Sequence, residues 1–233
     1  MIHPLIICRI IGNLLILEAV AVSACLGVSW YYNESILPAY IGTLLILSGL
    51  GVLLLYKGRG ASKEVSKKDS YIVVTLCWLV FPAFAALPFL FSGHIPNVTD
   101  AFFEAVSGFT TTGASILTDI EAVPQGLLFW RSATCWIGGA GVVMFALLIL
   151  PSLGTNKMAL SGIELSSLAK DNYRYRTQMV VRILLAVYIG LTLVTTLLLK
   201  VSGMRWFDAL NHAMSACATG GFSTKNASIG FYD

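Results

Sequence analysis

The sequence is poor in charge and in the residue groupings that carry catalytic chemistry. Only 12% of its 233 residues are Asp, Glu, Lys or Arg, against 57% hydrophobic, and the mean hydropathy is +0.80. That balance excludes a soluble domain of this length. The five cysteines, Cys8, Cys25, Cys77, Cys135 and Cys217, show no CxxC spacing and no histidine placed to complete a metal site. They read as small buried hydrophobes. There is no glycine-rich phosphate loop, HExxH pair or nucleophile elbow, so the expectation is a non-enzyme without a cofactor. No basic patch interleaved with aromatics suggests nucleic acid as a partner. A short cleavable leader is also missing: the first apolar run, Leu5 to Trp30, is long enough to span a bilayer and be retained.

What the chain does have is long apolar runs. A spanning helix needs about 20 mostly apolar residues, and five stretches qualify: 5–30, 36–56, 70–92, 124–150 and 178–202. The expected fold is an all-α polytopic membrane protein. The segment "KGRGASKEVSKKD", Lys57 to Asp69, holds five basic residues against two acidic ones. Residues 154–177 carry Lys157, Lys170, Arg174 and Arg176 against Glu164 and Asp171. The positive-inside tendency places both segments in the cytoplasm, and with them the amino terminus. The net charge of +3 adds little to this, because placement matters more than sum.

Two further segments are too short and polar to span, yet too apolar for free loops: "DAFFEAVSGFTTTGAS", Asp100 to Ser115, and "DALNHAMSACATGGFS", Asp208 to Ser223. At a constant offset of 108 residues they agree at Asp100 and Asp208, Ala101 and Ala209, Ala105 and Ala213, Ser107 and Ser215, Thr111 and Thr219, Gly113 and Gly221, and Ser115 and Ser223. An ungapped match of this kind, each copy following a spanning helix, is an internal duplication. Its unit is helix, re-entrant segment, helix, the arrangement of potassium-channel-like pores.

Non-helical backbone at membrane depth persists only where protein or a water-filled cavity surrounds it, so these segments are expected to line a pore. Each is predicted to run inward as a short helix capped by its Asp, with the carbonyl end and its partial negative charge toward the membrane centre. The chain then returns in extended form. Threonine favours extended backbone and offers a hydroxyl; glycine admits positive φ and close approach. Thr110, Thr111, Thr112 and Gly113 supply that chemistry in one copy, Ala218, Thr219, Gly220 and Gly221 in the other. Backbone oxygens of such stretches, those of Thr111, Thr112, Thr219 and Gly220 in particular, can replace the hydration shell of potassium.

The pairing of "SGFTTTGAS" with "ATGGFST", together with "FWRSATCWIGGAGVV" in the following helix, resembles the Trk/Ktr/HKT superfamily of potassium transporters, and most of all its bacterial TrkH-type membrane subunits. The resemblance covers nearly the whole chain. It implies four helix, pore-helix, helix repeats around one pore, after two extra amino-terminal helices. Residues 1–57 would be that extra pair, 58–69 a basic cytoplasmic loop and 70–153 the first repeat. Residues 154–177 would be a cytoplasmic linker and 178–233 an incomplete second repeat, making the sequence an amino-terminal portion with two of four filter loops. Gly113 and Gly221 match the family's filter glycines; glycine at 113 goes with potassium rather than sodium preference. The likeness further implies potassium uptake across the bacterial cytoplasmic (inner) membrane, a homodimer and a cytosolic nucleotide-binding regulatory partner. Alternatives within transport are a sodium-permeable or ion-coupled symporter of the same superfamily and the potassium-binding subunit of a pump. Outside transport, it is a non-conducting scaffold in which the duplicated motif only packs helices.

The remaining polar residues carry simpler expectations. Glu18, deepest in its span, should face protein, because charge at the bilayer centre is costly. Arg9, Arg131 and Arg182 sit near helix ends, where snorkelling suffices; Arg131 has the sharper alternative of bracing a pore helix against Glu104. Asp100, Glu104, Asp119 and Glu121 fall on the outward side and could gather cations there. His212, at the place of Glu104 in the second copy, reads as a packing residue, as do the glycines of "WIGGAG". The sequons at Asn33, Asn97 and Asn226 need a secretory context that a bacterial-looking sequence does not supply.

Overall fold

The computed structural model describes residues 3–61, 67–154 and 167–232. Its elements are α1 (Pro4–Tyr31), α2 (Leu37–Lys57), α3 (Lys67–Ala85), α4 (Leu87–Phe91), α5 (Val98–Phe109), α6 (Gln125–Gly154), α7 (Ser167–Val201) and α8 (Trp206–Cys217), with short 3₁₀ turns at Gly58–Gly60 and Ser228–Phe231. The described residues hold no strand. Four stretches among them are long and apolar enough to cross a membrane: Pro4–Tyr31, Leu37–Gly60, Tyr71–Phe91 and Met179–Val201. The remaining expected span, 124–150, corresponds to the 30-residue α6.

Proline marks where several of these helices begin or break. Pro4 opens α1 and Pro38 lies in the first turn of α2, positions where its missing N–H costs nothing. The expected span 70–92 is interrupted at Ala86 by Pro82 and Pro88, giving α3 and the short α4. A helix end leaves carbonyls unsatisfied, and here the indole of Trp130 in α6 donates to the Ala85 oxygen at 2.9 Å. The expected fifth span is longer at its amino-terminal side: α7 runs from Ser167, so Lys170, Arg174 and Arg176 continue a helix that is apolar only from Met179. Much of the two basic loops, residues 62–66 and 155–166, lies outside the described residues.

α1 and α2 pack as an antiparallel pair, and α1 also touches α3 and α6. Leu15, Val22, Tyr40, Leu47, Phe89 and Leu127 form part of a continuous core linking this pair to α5 and α6. Lipid tails are as apolar as leucine, so helix positions are decided by close packing and hydrogen bonds rather than by escape from the surroundings. Two polar links illustrate this. At one end, His3 binds Asp69 through its backbone N–H and its ring Nδ1, at 2.9 and 2.8 Å, and Arg9 donates to Ala61 O at 3.1 Å. At the other, Glu34 accepts from the backbone N–H of Gly126 at 3.1 Å, from that of Gln125, and from Ser29 Oγ at 2.7 Å. Glu34 therefore caps the start of α6 from across the fold, where Pro124 offers no capping side chain.

Glu18 faces protein as expected, at 2% exposure. Of these four stretches, the one in α7 is the least covered: 11% of its most apolar part is buried, against 39% for α1. Its outward residues, Ile183, Val187, Leu191, Val194 and Leu198, are exposed.

Candidate functional site

The duplication seen in the sequence is reproduced by the backbone. α5 and α8 are both 12 residues long, and their first and last residues differ by the same 108-residue offset. Both helices start two residues before the Asp that was expected to cap them, with the N-cap position three residues before it. Asn97 is the N-cap of α5, its side chain accepting from Thr99 N–H at 2.9 Å; Arg205 holds that place in α8 without a side-chain cap bond. Asp100 and Asp208 instead sit in the first turn, where a carboxylate still meets the positive end of the helix dipole. Asp208 also accepts from Thr224 Oγ1 at 2.6 Å.

The two helices end identically. Thr111 N–H bonds Gly108 O at 2.9 Å and Thr112 N–H bonds Ser107 O at 3.0 Å. In the second copy Thr219 N–H bonds Ala216 O at 3.0 Å and Gly220 N–H bonds Ser215 O at 2.9 Å. This pair of bonds defines a helix stop whose turning residue takes the left-handed conformation, normally glycine. Here that residue is threonine in both copies, with φ of 55° at Thr111 and 56° at Thr219. A β-branched residue there costs about 1–2 kcal/mol, and glycine would avoid the cost. Two threonines kept in the same strained place point to a use for them beyond ending a helix.

After the turn both chains run on without regular structure, Thr112 to Leu117 and Gly220 to Ser223, and the two meet at their glycines. Gly113 has φ of 74°. A Cβ built on it would lie 2.5 Å from the Cα of Gly221. Of the eight residues expected at the site, Thr110, Thr112, Thr219 and Gly221 are exposed, Thr111, Gly113 and Gly220 half-buried, and Ala218 buried. The structure brings both four-residue stretches together at one place, between α5, α6 and α8.

Packing behind the loops explains the "WIGGAG" glycines of α6. A Cβ on Gly138 would collide with the carbonyl of Phe109, and one on Gly139 would lie 2.9 Å from the Cα of Ala218. These two residues let α6 lie against the ends of both short helices; Gly141 faces open space. Trp136 donates to Thr192 Oγ1 at 3.0 Å and its carbonyl accepts from Tyr188 at 3.0 Å, which ties α6 to α7.

Hydrogen bonds then hold each return segment to its helix. Ser107 Oγ donates to Ala114 O at 2.5 Å. Ser115 Oγ donates to the carboxylate of Glu104, 3.0 Å from Oε1. At the matching place in the second copy, His212 Nε2 lies 3.0 Å from Ser223 Oγ, while its Nδ1 is 2.8 Å from Asp208 O. A carbonyl can only accept, so Nδ1 donates to Asp208 O, and Nε2 pairs with the Ser223 hydroxyl. His212 is buried, in agreement with a packing role. Arg131 does not snorkel: it is 1% exposed and its Nε donates to Glu104 Oε1 at 2.7 Å. At the rim, Lys225 pairs with Glu121 at 3.3 Å, and Asn226 bonds both Ile120 N–H and Asp119.

A family model described as a cation transport protein, TrkH, matches residues 37–233. The chain belongs to the TrkH cation transport family. Among curated relatives, the Trk system potassium uptake protein TrkH of Halomonas elongata is 37% identical over 229 residues, covering 97% of this chain and 48% of that protein. Its namesake in Escherichia coli strain K12 is 37% identical, covering 99% and 48%. In three dimensions the chain matches the crystal structure of the potassium transporter TrkH from Vibrio parahaemolyticus, with a TM-score of 0.83 and 34% identity over 97% of this chain and 46% of that one. The chain thus spans about half the length of the TrkH relatives it matches. Family membership and the apolar spanning helices make it a multi-pass membrane protein.

Sequence reasoning undervalued three residues. Glu34 gave no signal except the uncapped Pro124 start of α6. Ser115 and Ser223 were visible as duplicated serines, and their role follows only from the side chains at positions 104 and 212.

Proposed function

We propose that the chain supplies two of the four selectivity-filter loops of a Trk-type potassium uptake protein. Thr110 to Gly113 and Ala218 to Gly221 form the ion-facing stretches, and the carbonyls of Thr111, Thr112, Thr219 and Gly220 act as ligands that replace water around potassium. The observation carrying this reading is the pair of matched helix stops, each turning on a strained threonine and meeting its counterpart at Gly113 and Gly221. The relatives' description as potassium uptake proteins supports the choice of ion. In this reading the protein is a transporter and not an enzyme, needs no cofactor, and lies in the bacterial inner membrane with its amino terminus cytoplasmic. It works as a homodimer with a cytosolic nucleotide-binding regulatory subunit.

The test is potassium-limited growth of an uptake-deficient bacterium carrying the complete gene that encodes this chain, together with its regulatory subunit. Rescue by the parent, lost in a Gly113→Asp variant present in the membrane at parental level, is the expected result. Equal rescue by both removes Gly113 from the ion path; no rescue by a well-expressed parent removes potassium as the ion.

A further inference from the structure

Arg131 reaches further than charge neutralisation requires. Besides Glu104, its guanidinium donates through Nη2 to Ser115 Oγ at 3.1 Å and through Nη1 to Ser223 O at 3.3 Å. Its Cζ also lies 4.3 Å from the ring centroid of Phe222. One side chain from α6 therefore holds the short helix of the first copy, the return segment of the first copy and the return segment of the second. Glu104 completes the tie: its Oε2 accepts from Ile116 N–H at 3.1 Å. The second copy has no carboxylate at this position, because His212 stands where Glu104 does, and the hydrogen bonds of His212 go to its own return segment and helix. Among the described residues, Arg131 is the buried cation shared by both loops.

The geometry points to Arg131 as a positioning residue that fixes the spacing of the two loops and thereby their discrimination between cations; this rests on reading the loops as a filter. The planar fork of five donors is what allows three acceptors and an aromatic face to be held at once. A lysine would preserve the charge beside Glu104 as a single point and could not span the same set. Carbonyl ligands discriminate between ions through their number and spacing, so a loosened pair of loops should conduct while selecting less well.

The experiment uses the complete protein in liposomes, reading rubidium and sodium flux together with KM and maximal rate for potassium. Arg131→Lys, present at parental level, is expected to lower rubidium over sodium discrimination about tenfold, the effect of losing one charged hydrogen bond. KM should rise by a larger factor than the maximal rate falls. Ser115→Ala, which removes one anchor and keeps the ion pair, should lose only about threefold, because Glu104 and Ser223 still hold the guanidinium. A selective parent with an unchanged Arg131→Lys variant shows that the guanidinium only balances charge and overturns the inference alone. Should Arg131→Lys not reach the membrane, parental discrimination in Ser115→Ala overturns it. A well-folded parent that conducts no cation removes the filter reading and this inference together.

Discussion

The two copies share one backbone but hold it with different chemistry. In the first, a buried ion pair between Glu104 and Arg131 fastens the return segment, and the Thr110 and Thr112 hydroxyls bond each other at 2.8 Å. In the second, the fastening is by His212 on Ser223 and Asp208 on Thr224, and Ala218 and Gly220 stand where those two threonines do. The reason at 220 is space: a Cβ there would strike the sulfur of Cys135 in α6. The backbone hydrogen bonds survive these changes because they belong to the helix stop, which needs only a left-handed residue at 111 and 219. The side chains are free to differ, and so the copies should fail differently when altered.

The largest difference is expected at the matched positions 104 and 212. Glu104→Gln leaves Arg131 buried without a counter-charge, a loss of about 3–5 kcal/mol. His212→Gln forfeits a hydrogen bond to a serine hydroxyl worth about 1 kcal/mol. In thermal unfolding of the detergent-solubilised protein the first variant should therefore melt far below the second. Equal shifts would show that the ion pair holds the first copy no more firmly than the histidine holds its own.

Gly113 and Gly221 come next. Serine at 113 must adopt φ of 74° and pushes into the Cα of Gly221, so strain of about 1–2 kcal/mol adds to overpacking of about 1–3 kcal/mol. At 221 a Cβ meets the Cα of Gly113 at 3.4 Å, an ordinary contact, and φ is not positive. Gly221→Ser should retain most of the parental stability and Gly113→Ser should not. The same melting measurement decides it, and the reverse order would mean that the loops meet differently from the arrangement found here.

Much of this was legible in the sequence because two physical signals are strong. Apolar length located the spans, and the ungapped 108-residue repeat located both short helices and their stops. Capping was misjudged: Asp100 and Asp208 drew attention as conventional caps, while the helices begin one turn earlier, at Asn97 and at an uncapped Arg205. The links between distant elements were hardest to see. Arg131 with Ser223, or Glu34 with Gly126, are 92 residues apart, and no periodicity reports a contact that depends on how helices lie against one another.

The smallest stability change is expected where the strain sits, and it separates backbone from side chain most cleanly. Thr111→Gly and Thr219→Gly each relieve about 1–2 kcal/mol of left-handed strain but loosen the unfolded chain by about 0.5–1 kcal/mol, so both should melt close to the parent. Their effects on ion selection should not be equal. Within the first stretch Thr110 and Thr112 keep hydroxyls after Thr111 is changed; within Ala218 to Gly221, Thr219 carries the sole hydroxyl. Thr219→Gly is therefore expected to lose more rubidium over sodium discrimination than Thr111→Gly. Equal loss would mean that the hydroxyls play no part and that selection rests on the carbonyls alone, in which case the strained threonines need another explanation.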